Sequence, residues 1–401
     1  MKNILVGQSG GPTSVINASL CGVIKEVLKN NDKIEKIYGM VNGIEGFLDD
    51  KFVELQNLSD EDFNLLRQTP GTYLGSCRFM LPNNYNDDIY KKIFKKFSEK
   101  NIGYVIYIGG NDSMDTVNKL SYYANLVMSK VKFIGVPKTI DNDLIMTDHT
   151  PGFGSAAKYI ATAVRDIVYD AESYHKKSVT IIELMGRDTG WLTATSIMAK
   201  MNKESNPALI YLPEIPFDTF QFIQDIKLAL EQRNNVVVCV SEGIKDKNSK
   251  LICEYNSEIS QDVFGHKMLS GCGKILENEV KEKLGVKVRT VELNVLQRAS
   301  SLNLSKTDMD EAENVGREAV KAALIGKTRK MVSIVRNNEY DISYELVEVN
   351  KICNKVKYFP EEWIINKNNI ADEFKEYIIP IIKGNVEVLR DEFGLPKYIR
   401  R

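Results

Sequence analysis

Short apolar runs alternate with stretches of helical spacing along this 401-residue chain. The runs Ile4–Val6, Ile34–Tyr38, Tyr104–Ile108, Phe133–Val136, Thr180–Glu183, Ala208–Tyr211 and Val236–Val240 are short and almost uniformly apolar. That pattern predicts strands buried on both faces. Between them, Ser14–Leu28, Asp87–Lys100, Ser113–Met128, Ser155–Ala171 and Thr219–Arg233 repeat apolar residues at helical spacing and predict helices. Strand and helix in alternation predict an α/β fold, with mainly parallel sheets covered by helices on both sides. The length makes two domains the default. Gly/Pro punctuation at Thr150-Pro-Gly-Phe-Gly154 marks one boundary, and Leu293–Arg298 marks a return point. The expected ranges are therefore 1–152, 153–296 and 297–401. Residues 332–401, rich in Lys, Glu and Asn and containing Trp363, are expected to form a C-terminal helical extension.

Composition narrows the classes. Apolar residues make up 43% and charged residues 27%, which is ordinary for an enzyme-sized soluble protein. The formal net charge of −1 leaves no basic excess to neutralise a phosphate backbone, so no nucleic-acid partner is expected. The six cysteines form no C-x-x-C, and His149, His175 and His266 form no H-E-x-x-H. A zinc site or disulfide framework is thus unsupported, and a reducing cytoplasm is the expected location. Met1–Gly7 enters a strand without signal-peptide architecture, and no apolar run is long enough for a membrane span.

Candidate chemistry sits on the loops that follow the strands. Gly109-Gly-Asn-Asp-Ser113 closes an apolar run and opens a helix, a geometry in which free backbone N–H groups can hold a polyphosphate. Asp112 puts a negative charge where an anion should arrive, so it either helps hold a metal or excludes part of a larger ligand. Gly7-Gln-Ser-Gly-Gly-Pro-Thr-Ser14 follows the first strand in the same way, although a tight turn binding nothing would use the same residues. Two such loops at strand carboxyl ends point to one crevice. Val136-Pro-Lys-Thr-Ile-Asp-Asn-Asp143 adds a lysine and two acids. One carboxylate could deprotonate an alcohol, another could orient Mg²⁺ or water, and the lysine could neutralise a transferring phosphoryl group. In Glu183–Trp191, Arg187 offers a planar fork for phosphate or sugar hydroxyls, or else a surface pair with Asp188. Ser241-Glu-Gly243, Arg289 and Gln297-Arg298 follow, and alone they carry little.

Taken in order, these segments resemble the phosphofructokinase family along nearly the whole chain. The matching pieces are Gly10-Gly11, Leu74-Gly-Ser-Cys-Arg78, Gly109–Ser113, Pro137–Asp143, Met185-Gly-Arg187, Ser241–Gly243 and Leu296-Gln-Arg298. Asp112 and Lys138, where ATP-using members carry Gly, and Pro360-Glu-Glu-Trp-Ile364 resemble the pyrophosphate-dependent branch. The resemblance implies two similar Rossmann-like three-layer domains, with the active site in the cleft between them. Residues 1–152 would bind pyrophosphate, 153–296 would bind the sugar phosphate, and 297–401 would return to the first domain. The implied reaction is reversible phosphoryl transfer from pyrophosphate to the 1-hydroxyl of fructose 6-phosphate, with Mg²⁺.

Residue by residue, the resemblance assigns Asp141 as general base, with Lys138, Arg78 and Asp112 as catalytic neighbours. Gly10, Gly11, Gly110 and Ser113 would bind pyrophosphate. Thr139, Ile140, Asp141, Met185, Gly186, Arg187, Glu242, Val295 and Arg298 would meet the sugar phosphate, as would Arg289 of a neighbouring subunit in a homo-oligomer. Two departures matter. Asn111 stands where many members have a metal-binding Asp, which leaves Asn111 and Asp143 as the metal candidates and Asp112 as a further one. Val295 replaces a polar residue that would face the sugar phosphate, so sedoheptulose 7-phosphate becomes a conceivable acceptor. In the longer loop Tyr174–Ser178, Lys176 or Lys177 would replace an interface arginine. The competing readings are an ATP-dependent sugar-phosphate kinase and a non-catalytic regulatory subunit. A dinucleotide oxidoreductase fails for want of G-x-G-x-x-G.

Overall fold

The computed structural model describes residues 1–202, 204–255 and 271–401, so His266 lies outside the described residues. Two sheets organise the chain. The first comprises β1 (Lys2–Gln8), β2 (Ile34–Met40), β3 (Phe52–Glu54), β4 (Ile102–Gly109) and β5 (Lys132–Pro137). The second comprises β6 (Ser178–Leu184), β7 (Leu209–Tyr211), β8 (Asn235–Ser241) and β9 (Lys287–Glu292). The chain then returns to the first sheet with β10 (Lys330–Arg336) and β11 (Ile342–Glu348). The strand orders are β11-β10-β5-β4-β1-β2-β3 and β7-β8-β6-β9. Only β3 and β11, at the two edges of the first sheet, run antiparallel to their neighbours.

The apolar runs read from the sequence all lie within or against these strands. β1, β4 and β8 are buried along nearly their whole length, because helices cover both sheet faces. The predicted helices form at Ile16–Leu28, Asp88–Glu99, Asn111–Leu126, Phe153–Glu172 and Thr219–Gln232. A close helix–helix contact over one face of the first sheet joins the first of these to Lys306–Leu324. A Cβ on Gly22 would stand 1.9 Å from the Glu313 carbonyl oxygen, and one on Gly316 would stand 2.2 Å from that of Ser19.

Register positions the site. Gln8 pairs with Ile108, and Gly109 with Pro137, so the loops leaving β1, β4 and β5 emerge side by side at one sheet end. In the second sheet Leu184 pairs with Ser241 and Glu183 with Glu292, which aligns the loops after β6, β8 and β9 in the same way.

Residues 332–401 depart from the expected helical extension. Their one α-helix is Asp372–Ile381; they also contain most of β10, all of β11 and a small hairpin at Ile364–Ile365 and Asn369–Ile370. Met331, Val332, Ser333 and Ile334 are consecutive and all buried, as suits a strand covered on both faces. No helix among the described residues is long and apolar enough to cross a membrane.

Candidate active site

The loops of the two sheets enclose a cavity of about 500 Å³. Its first wall is the loop after β1. Gln8 is fully buried and works as a brace: its Oε1 accepts from Leu74 N at 3.0 Å and its Nε2 donates to Asn17 Oδ1 at 2.9 Å. Ser76 Oγ then donates to Gly10 O at 2.8 Å. These bonds bring the segment carrying Arg78 to the cavity beside Ser9, Gly10 and Gly11.

The loop after β4 supplies Gly110, Asn111, Asp112 and Ser113. The helix opens at Asn111, one turn's fraction earlier than expected, so its first N–H groups lie at the cavity. Asp112 is exposed within this wall. Asn111, expected as a metal candidate, bonds to a distant segment: its Oδ1 accepts from Asn354 N at 2.6 Å and its Nδ2 donates to Lys355 O at 2.6 Å. Both ends of the amide are spent on backbone.

The loop after β5 crosses the centre. Lys138 is 3% exposed and its ammonium donates to Gly11 O at 2.7 Å. A Cβ on Gly10 would lie 3.3 Å from Lys138 Nζ, and one on Gly11 would lie 3.0 Å from Arg298 Nη1, so both cations border the glycine loop. Asp141 is fixed by Thr139, whose Oγ1 accepts from Asp141 N at 3.0 Å, and by Thr189, whose Oγ1 donates to Asp141 O at 3.2 Å. The second bond joins the two halves of the cleft.

The far wall comes from the second sheet. Met185 N donates to Gln297 Oε1 at 3.1 Å and Gly186 N to Glu242 Oε1 at 3.4 Å. Gly186 has φ +137°, and a Cβ there would stand 2.6 Å from Thr189 O, so the turn that presents Arg187 demands glycine. Arg187 Nε is buried without a hydrogen-bond partner among the described residues. Asp188 turns to Lys245 at 3.3 Å, so it does not provide the surface pair considered for Arg187.

Burial and mutual repulsion shift the charges in this cleft. Burial pushes Lys138 down to about 8 against the pull of Asp141 and Asp143. It raises Asp141 despite Arg187 and Lys138. Asp143 rises to about 7 through burial and the nearby Asp141, and Glu242 to about 8 through the same two causes. Oppositely perturbed acids and cations in one cleft mark a candidate reaction centre.

Of the residues singled out in the sequence, the cavity gathers Gly10, Gly11, Arg78, Gly110–Ser113, Lys138, Thr139, Asp141, Asp143, Met185, Arg187, Glu242 and Arg298. Ile140 is not on its surface: 5% exposed, it belongs to the core beneath and anchors the loop. Gly186 contributes shape and a backbone N–H rather than cavity lining. Val295 is 49% exposed and is not among the residues lining the cavity. Arg289 lies on β9, paired with Asp170 at 3.1 Å and outside this cavity. The sequence reading missed Ser9, Thr189, Asn354 and Val356. The last two come from a stretch without motif character. A larger cleft of about 710 Å³ near Glu172, His175 and Arg233 contains none of the candidate residues.

Two facing α/β sheets with glycine-loop and acid–cation walls define a nucleotide- or phosphate-handling class of fold. The phosphofructokinase family model matches residues 3–323, and the chain belongs to that family. The chain is 37% identical over 385 residues to pyrophosphate–fructose 6-phosphate 1-phosphotransferase of Rhodospirillum rubrum, covering 94% of each chain. It is likewise 37% identical over 403 residues to the protein of that name from Xanthomonas campestris pv. campestris, covering 99% of this chain and 95% of the relative. Among solved structures, the pyrophosphate-dependent phosphofructokinase of Marinobacter aquaeolei matches with a TM-score of 0.89 at 35% identity, over 99% of this chain and 95% of that one.

Proposed function

We propose that this protein reversibly transfers one phosphoryl group from pyrophosphate to the 1-hydroxyl of fructose 6-phosphate, giving fructose 1,6-bisphosphate and phosphate. The observation that carries the reading is the joint position of Asp112 and Lys138 on the donor side of one cavity. Asp112 adds charge and bulk where the inner phosphate and ribose of a nucleotide would pass, which disfavours ATP. Lys138 supplies a cation at the glycine loop. Compact pyrophosphate needs room for two phosphoryl groups only. The names of the relatives agree with this donor and acceptor.

Residues 1–152 hold the donor in this proposal, and residues 153–296 hold the sugar. Gly10, Gly11, Gly110 and Ser113 bind pyrophosphate through backbone and hydroxyl donors. Asp141 takes the proton of the 1-hydroxyl as its oxygen bonds to phosphorus, while the bond to the departing phosphate breaks. Lys138 and Arg78 balance the charge that grows on that phosphate. Thr139, Met185, Arg187 and Glu242 orient the sugar, with Arg298 on its phosphate and Arg289 serving the site of a neighbouring subunit in a homo-oligomer.

The carboxylate oxygens of Asp143 and Asp112 suit Mg²⁺, which is commonly held by one or two carboxylates together with substrate phosphates. Asp143 would hold it, and bound there it would neutralise donor charge. We place the protein in the cytoplasm, acting without nucleic acid or membrane.

Initial rates with pyrophosphate and with ATP, each on fructose 6-phosphate and sedoheptulose 7-phosphate, test this function. We expect pyrophosphate with fructose 6-phosphate to dominate. Equal turnover with ATP would overturn the reading of Asp112, and inactivity with either donor would favour a regulatory subunit.

A further inference from the structure

The segment Asn354–Lys357 belongs to none of the family motifs, yet it bonds to Asn111 beside Asp112, to the loop carrying Asp141 and Asp143, and to Trp191. At its start, Asn354 and Lys355 bond through their backbones to the Asn111 side chain, at the helix opening beside Asp112. At its end, Lys357 N donates to Asp143 O at 2.8 Å, and Lys357 O accepts from Trp191 Nε1 at 2.9 Å. The Lys357 ammonium donates to Asn142 Oδ1 at 3.0 Å, to Thr147 O at 3.2 Å and to Asp148 O at 2.8 Å. It also lies 5.0 Å from the centre of the Trp191 ring.

Asn142 explains why such an anchor is needed. It has φ +52° and sits between Asp141 and Asp143, so the loop holds two acids apart through a left-handed residue. Both ends of its amide are engaged, the oxygen by Lys357 and the nitrogen by Tyr377 OH at 3.1 Å. Without the ammonium, the Asn142 oxygen and the two carbonyls would lose their shared donor, and the turn separating the carboxylates would lose one of its two clamps.

We propose that Lys357 is a positioning residue for phosphoryl transfer. Through it, the segment 354–357 sets Asp141 and Asp143 at a fixed separation from the donor loop at Asn111 and from the sugar wall at Trp191. This rests on the phosphotransferase reading above. Lys357 touches neither substrate in this role; it acts through the loop it holds.

The test compares wild type with Lys357→Met, which keeps the stem and removes the donors, and with Trp191→Phe, which removes the indole N–H together with part of the ring packed against Phe359 and Tyr377. Thermal denaturation establishes that each is folded. In Lys357→Met, kcat should fall about 30- to 100-fold, the scale expected when a reacting group is misplaced by about an ångström. KM for pyrophosphate and for fructose 6-phosphate should each stay within about threefold. Trp191→Phe should show the same split with a kcat loss of about three- to tenfold. A merely structural lysine would reduce the folded fraction and leave kcat per folded molecule unchanged. Wild-type kcat in the folded variants, or a loss confined to KM, overturns the proposal. Should Lys357→Met not fold, Trp191→Phe decides alone by the same criteria. An active wild type with unimpaired variants refutes this inference only, whereas an inactive wild type refutes the phosphotransferase reading and this inference with it.

Discussion

Replacing Lys138 by Met removes one charge from the centre of the cleft while keeping most of the side-chain volume. In the structure the ammonium sits 2.7 Å from Gly11 O, in the loop proposed to carry pyrophosphate, so a phosphoryl group there would lie one contact away. Two unit charges about 4 Å apart interact by about 4 kcal/mol at an effective dielectric constant near 20. At about 1.4 kcal/mol per decade, the variant should lose roughly 10³-fold in kcat/KM for pyrophosphate. A second readout follows from the lysine's lowered pKa. The group helps only when protonated, so wild-type kcat/KM should decline as pH rises through about 8, and the variant should lack this decline. Steady-state rates across the neutral and alkaline range supply both measurements. A loss below about tenfold, or an alkaline limb that survives in the variant, would refute the assigned role.

Three further outcomes are expected. Asp141→Asn should lower kcat by about 10²- to 10⁴-fold with fructose 6-phosphate affinity unchanged by calorimetry; undiminished turnover would sink the base assignment. Because burial raises Asp141 and a base works deprotonated, the acid limb of the wild type should fall well above the ordinary carboxylate pKa of about 4. Asp112→Gly should narrow the preference for pyrophosphate over ATP by at least about tenfold, and an unaltered ratio would assign donor choice elsewhere. His149 is wholly buried between Asp148, at 2.7 Å, and Glu311, at 2.5 Å. Burial opposes its charge, but Glu311 and Asp148 together raise it to about 9. A folded pKa above the unfolded one stabilises fully below about pH 6.5 and loses that contribution as pH rises to about 9. His149→Gln should therefore cost about 3 kcal/mol at pH 6 and clearly less at pH 9.5, measured by denaturant melts.

The central strands were legible because burial on both faces leaves a nearly continuous apolar run, as in Val236–Val240 within β8. Of the edge strands, the buried β7 was legible, but β3, β9 and β11 were not. β9 (Lys-Val-Arg-Thr-Val-Glu) and β11 (Ile-Ser-Tyr-Glu-Leu-Val-Glu) are only partly buried and mix charged with apolar residues. β10 was lost in a stretch whose composition reads as helical, since its pairing with β5 depends on residues almost two hundred positions away. In the site, the glycine loops and the Pro137–Asp143 segment announce themselves through residue types with little other use. Asn354, Val356 and Lys357 do not, because much of their contribution runs through backbone atoms, which every residue possesses. The partners of Asn111 escape the sequence for a related reason: they lie in a segment more than two hundred residues away.

The tight crossing of Ile16–Leu28 with Lys306–Leu324 also constrains how the protein is made. Gly22 leaves a ribosome well before Gly316, whose close approach it requires. At about 5–20 residues per second the interval is roughly 15 to 60 s, and β10 must follow before the first sheet is complete. The second sheet is contiguous in the chain, so it can assemble while the first still lacks an edge. During that wait the nascent amino-terminal half exposes an apolar helix face and the open flank of β5. Synthesis itself thus makes the first sheet, begun before the second, the last to close.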